Sequence, residues 1–176
     1  MLYKLVFPAQ AAGSNKVYWD LFNASGSGID VVVVSLMPFV AGSSIVTGTL
    51  AVDLYLTRTT TIGTGGTAAN YESATLTTPN FASLRGRGSP VDRAVSARAA
   101  PSGGAAAGSF LALRSIFTEE TNAGTYAQRI DMARPAVDDI DGIIVHQGSG
   151  LRVVQGSVAS VGNIAFDMIL RVERQQ

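Results

Sequence analysis

The chain has 176 residues, of which 47% are hydrophobic and 15% charged, and its 13 basic and 13 acidic side chains give a formal net charge of zero. A neutral surface is a poor polyelectrolyte, which argues against nucleic acid as a partner and suits a molecule that packs against other proteins. With no cysteine there is no disulfide framework and no thiolate chemistry, and this length leads us to expect one domain with a sizeable core.

The chain opens with MLYKLVFPAQ, where a short strand is expected over 2–7. This stretch lacks the long apolar run and small-residue cleavage site of a secretory signal, and residues 1–15 read as an N-terminal arm. KVYWDLF, residues 16–22, alternates with the period of a strand. Val17, Trp19 and Leu21 point one way, Lys16, Tyr18 and Asp20 the other. Trp19 on a surface could stack on a sugar, but its place beside Val17 and Leu21 favours the core.

Residues 31–52, VVVVSLMPFVAGSSIVTGTLAV, are long enough to span a membrane as a helix of about 20 residues. Pro38 and the turn at Ala41-Gly42-Ser43-Ser44 divide them instead into two β-branched strands. In TLAVDLYLT, residues 49–57, Leu50, Val52, Leu54 and Leu56 share one face, opposite Thr49, Asp53 and Thr57. From 59 to 108 the chain is rich in small residues and poor in large apolar ones. Such a stretch has little apolar surface to offset backbone ordering, and reads as long loops around one or two edge strands.

Further short strands are expected at 91–98, 110–117, 141–146 and 151–155, with a second excursion at about 119–140 that holds one helical turn at most (119–124). The closing run is the clearest. Ile164, Phe166, Met168, Leu170 and Val172 face Asn163, Asp167, Arg171 and Glu173 across the strand. Eight or nine strands separated by Gly, Ser, Asn and Pro clusters predict an all-β fold, an antiparallel two-sheet sandwich of jelly-roll type with long loops. A small closed barrel is the competing architecture. The expected domain is 16–176, with excursions at about 59–108 and 119–140.

Reactive chemistry is thinly represented. The lone histidine lies in HQGSG, residues 146–150, and could meet Ser149 and one of Asp138, Asp139 or Asp141. GSGLRVV at 148–154 nevertheless repeats GSGIDVV at 26–32. Two copies of one Gly-Ser-Gly turn, each followed by a β-branched strand, read as corners of the fold, since a phosphate loop needs a helix after its glycines. The carboxylates of 138–141 could ligate calcium but lack EF-hand spacing, so a solvated acidic turn is preferred. LRGRGSPVDR, residues 84–93, offers Arg85, Arg87 and Arg93 to phosphates or acidic protein patches. No catalytic, cofactor or metal residue is assigned. Tyr18, Phe22, Tyr55 and Ile169, apolar on otherwise polar strand faces, join Arg85 and Arg87 as candidate interface residues.

Four stretches carry a resemblance: FPAQAAGSNKVYWDLFNASGSG, TGTLAVDLYLTRTT followed by TGGTAA, ARAAPSGG, and GSGLRVVQGSVASVGNIAFDMILRVE. In these the chain resembles the capsid decoration (cement) proteins of tailed bacteriophages. The resemblance implies a β-sandwich subunit, often a homotrimer, that sits on the outer capsid surface of the virion and clamps the major capsid protein, with neither cofactor nor membrane involved. The excursion at 119–140 is longer than that pattern. A receptor- or glycan-binding domain of a phage fibre or tail is the alternative, and it calls for aromatic side chains clustered in loops. Here the loops are nearly free of Trp and Tyr, apart from Tyr71 and Tyr126.

Overall fold

The computed structural model describes residues 1–41, 50–73, 75, 77–86, 88–104, 106–118, 130–133 and 142–175. Among these, twelve strands and a single 3-10 turn at Val91–Arg93 form two six-stranded sheets. The first sheet runs β10 (Ile143–Val145), β3 (Ile29–Ala41), β12 (Asn163–Arg174), β1 (Leu2–Ala11), β7 (Asn80–Ser83), β6 (Asn70–Tyr71). The second runs β5 (Thr67–Ala68), β8 (Val95–Ala99), β2 (Val17–Asn23), β11 (Ser149–Gln155), β4 (Leu50–Thr59), β9 (Ala106–Thr118). Every pairing is antiparallel except β6 with β7.

Eight of these strands, β1–β4 and β9–β12, change sheet at every step except from β4 to β9, in the orders β10-β3-β12-β1 and β2-β11-β4-β9. That is the strand order of a jelly roll, the two-sheet sandwich expected from the sequence. The stretch between β4 and β9 is an insertion into this frame. It widens the first sheet beyond β1 with β7 and β6, and the second beyond β2 with β8 and β5. The excursion at 59–108, expected to hold one or two edge strands, carries four among its described residues, β5–β8, of which only β8 overlaps an expected strand (91–98). The stretch 31–52 falls in β3 and β4 where it is described, but Pro38 does not divide it: it lies inside β3, opposite Phe166, and the expected turn after Ala41 lies outside the described residues. No helix among the described residues is long and apolar enough to cross a membrane.

Residues 1–15 do not form an arm. β1 lies inside its sheet, between β12 and β7, and buries Tyr3, Leu5 and Phe7 completely or nearly so. β1 runs from Leu2 to Ala11, four residues beyond the strand expected at 2–7. The strand passes Pro8 with a bulge between Phe7 and Gln10, and pairing with β12 resumes at Gln10. A bulge lets a strand carry a residue that cannot donate to the ladder.

The core lies between the sheets and is centred on aromatic rings. Phe7 of the first sheet stacks on Trp19 of the second, with centroids 5.2 Å apart and planes 11° from parallel. Phe166 meets Trp19 edge-on at 6.1 Å and Tyr18 at 5.3 Å. Trp19 is thus core, as its alternation indicated. Around the rings pack Leu5, Leu21, Leu36, Leu54, Leu56 and Met168, all fully buried.

Strand phase gives a direct test. Phe166→Ala should destabilise the fold by about 3–5 kcal/mol, the cost of a large cavity in an aromatic core. Asp167→Ala, one residue on, removes only a half-exposed ion pair with Lys4 (3.0 Å) and should cost about 1 kcal/mol or less. Urea melts of the two variants measure both.

Candidate interaction surface

The six interface candidates do not share one surface. Tyr18 is fully buried in the core, contrary to the expectation that it points outward. The alternation fails at a bulge, where Trp19 pairs with Val153 and Val17 with Val154, leaving Tyr18 as the extra residue. The bulge turns Tyr18 inward and leaves Val17 half-buried. The Tyr18 hydroxyl donates to Gln155 Oε1 at 2.6 Å, and burial raises its pKa well above that of a free phenol.

Phe22 and Tyr55 lie on the outer face of the second sheet and are half-buried. The Phe22 ring lies over Gly150, and Tyr55 leans on Phe110 with centroids 4.9 Å apart. Ile169 is half-buried on the outer face of the opposite sheet, paired in register with Lys4 and Ser35. Arg85 is exposed in the turn after β7. Arg87 lies outside the described residues, as do the helical turn at 119–124, Tyr126 and the carboxylates at 138–141.

A buried ion pair governs the outer face of the second sheet. Arg152 of β11 gives two parallel bonds to Asp20 of β2, Nε to Oδ1 at 2.9 Å and Nη2 to Oδ2 at 2.8 Å. Neither side chain is more than 5% exposed. The remaining capacity of both groups is spent on the insertion. Gly63 N donates to Asp20 Oδ2 at 2.7 Å, while Arg152 donates to the carbonyls of Gly103 and Gly104 at 3.2 and 3.3 Å. A side chain at Gly104 would collide with the Arg152 guanidinium. The glycines of ARAAPSGG thus let backbone approach a charged group closely.

HQGSG is a corner, as its repetition indicated. Gly148 adopts a φ of 70°, and its N–H donates to Asn23 O at 2.8 Å. Asn23 ties the two Gly-Ser-Gly turns together, its side-chain amide donating to Ile29 O at 2.9 Å and Val145 O at 3.2 Å. His146 is exposed, with Nδ1 3.0 Å from Asp30 Oδ1. The Ser149 hydroxyl donates to the His146 main-chain carbonyl at 2.8 Å, and among the described contacts it does not meet the imidazole.

The apolar surface that sequence reading missed lies at the other side of the sandwich. β9 and β10 end their sheets there, and no described strand pairs with their outer sides. Phe110 is 66% exposed, Leu113 49%, Ile144 43% and Leu111 40%. A register shift opposite Leu56 and Thr57 leaves Leu111 as the extra residue and puts Phe110 beside Tyr55. Between the two edges lies a groove of about 420 Å³, whose lining includes Arg58, Leu111, Arg114, Met132 and Ile143. One signal was available. FLALRSIF has apolar residues at both parities, which a strand with one buried face does not need.

Comparison with protein-family models, curated proteins and solved structures gives no significant match.

Two outcomes check this account. Arg152→Ala leaves Asp20 buried without its counter-charge and should cost about 3–5 kcal/mol. It should also open the insertion to trypsin after Arg85 and Arg93 under native conditions, as read by mass spectrometry. His146→Ala, at an exposed corner, should shift the melting midpoint by less than about 0.5 kcal/mol equivalent.

Proposed function

We propose that the chain is a structural virion protein that binds the outer surface of an assembled phage capsid and stabilises it. The observation that carries the reading is the unequal treatment of the sandwich's two sides. On one side the insertion adds β7 and β6 to the first sheet and β8 and β5 to the second. On the other, β9 and β10 end their sheets and expose Phe110, Leu111, Leu113 and Ile144. A long apolar edge is an aggregation hazard in a free monomer unless a partner covers it. The resemblance to decoration proteins supports a capsid as that partner, and zero net charge suits lateral packing.

The mechanism in this reading is differential affinity. A lattice under internal pressure fails where neighbouring capsid subunits separate. A protein that binds the closed lattice better than the separated subunits stabilises the closed state by mass action. Several copies acting as a symmetric clamp, such as a homotrimer, would hold more than one subunit at once. The exposed apolar side chains named above sit on strands rather than loop tips, and Tyr71 is half-buried, its hydroxyl donating to Gly88 O at 2.7 Å. That distribution favours a flat protein contact over a glycan pocket.

Purified protein added to undecorated particles should cosediment with them and raise their disruption temperature, as followed by dye access to the packaged DNA. Sedimentation equilibrium should find a closed oligomer. Protein that neither cosediments nor shifts the disruption temperature would sink the proposal, and glycan binding by the same sample would put the fibre or tail reading in its place.

A further inference from the structure

The groove between β9 and β10 combines three properties. Its walls are largely apolar, with Leu111, Ala112, Met132, Ile143 and Ile144 among them. It is bounded by two terminal strands, so one row of β9 main-chain donors and acceptors has no described strand partner. It also holds Arg58 and Arg114, and no carboxylate among its described lining residues.

Neither arginine is ion-paired among the described residues. Arg58 Nη1 donates to Ile144 O at 2.9 Å, across the gap between the sheets, and Arg114 Nη1 donates to Leu113 O at 2.8 Å. Asp20–Arg152, Lys4–Asp167 and Arg171–Glu173 join opposite charges, and the one other ionisable group among the groove's described lining residues, His146, already faces Asp30. Lys16 and Arg98 also donate to main-chain carbonyls, so what sets Arg58 and Arg114 apart is that both line one apolar groove.

We infer that this groove takes an extended segment of a partner protein in which apolar and carboxylate residues alternate, added to β9 as a further strand. The alternation follows from β9 itself. Leu113 pairs with Tyr55 and shares the outer face with it and Phe110, whereas Arg114 and Ala112 pair with the core-facing Leu54 and Leu56 and so point toward the groove. Side chains of an added strand would alternate in the same phase, apolar ones beside Leu113 and Phe110, carboxylates beside Arg114 and Arg58. Main-chain bonds to the open edge supply affinity and the charges supply selection. A second copy paired through the same edge fits less well, because it would gather both arginines of each copy at one seam with no acid among the described lining residues.

This inference names the partner chemistry of the capsid reading and rests on it for the identity of the partner, although the groove can be tested alone. The probes are two fluorescently labelled ten-residue peptides, one alternating valine with glutamate, the other valine with lysine. Anisotropy titrations should show the glutamate peptide binding and the lysine peptide failing, with affinity falling as salt rises. Arg114→Glu, at a half-exposed position, should weaken the glutamate peptide about tenfold or more and gain the lysine peptide. A merely misfolded variant cannot produce that reversal. Equal binding of both peptides, or of neither, overturns the inference, as does self-association of the wild type that Arg114→Glu abolishes. Particle cosedimentation run in parallel separates the two ideas. Protein that binds particles and ignores both peptides refutes the groove alone, whereas protein that binds the glutamate peptide and ignores particles supports the groove and counts against the capsid.

Discussion

The Asp20–Arg152 pair joins the two parts of this molecule. The jelly roll supplies both residues, on adjacent strands of the second sheet, and the insertion supplies the carbonyls and the amide that complete their bonding. Removing two charges from water costs several kcal/mol per ion, and the mutual attraction repays this only when every remaining donor and acceptor is met. Here the fork geometry is bidentate and the insertion's glycines meet the remainder. The insertion is thereby fixed to the sheet by charge and backbone, in a stretch where large apolar side chains are scarce.

That attachment has a consequence for the edges. A two-sheet sandwich exposes four terminal strands, each a template for unwanted pairing. With the insertion in place, the edges on the β1 and β2 side pass to short strands, β6 and β5, of two residues each. The opposite side keeps β9, thirteen residues long, as a terminus of its sheet. The bulge near Leu111 blunts β9 only in part. The contrast between a shielded side and an apolar, cationic one is what the proposed function rests on.

The interior and the corners are built by different means. Between the sheets, Phe7, Trp19, Phe166 and Tyr18 fill the space with rings in stacked, edge-on and tilted contact, arrangements worth a little more than their area alone. At the end of the sandwich near His146, polar bonds take over. Asn23 braces both Gly-Ser-Gly turns, and the Gln175 side chain donates to Asp30 Oδ1 at 3.0 Å, which draws the C-terminal residues onto the same corner. The lone histidine is one member of that polar cap.

The sequence by itself determined the class of fold and most of its phase. Period-two alternation in TLAVDLYLT and NIAFDMILRVE is a local property, and it correctly placed Val52, Leu54, Leu56, Phe166 and Met168 in the core. The repeated Gly-Ser-Gly turn was equally legible, because a positive φ is a demand on one residue. Tertiary structure decided what depends on pairing between distant segments. A bulge is a mismatch of count between two strands, so Tyr18 could not be turned inward by reading KVYWDLF alone. β1 looked like an arm because its burial comes from β12 and β7, more than seventy residues away in the chain. Asp20 and Arg152 are separated by 132 positions, and nothing in either neighbourhood announces the other. The candidate groove is the extreme case. Which strand is left at the edge is fixed only when every other strand has found its partners.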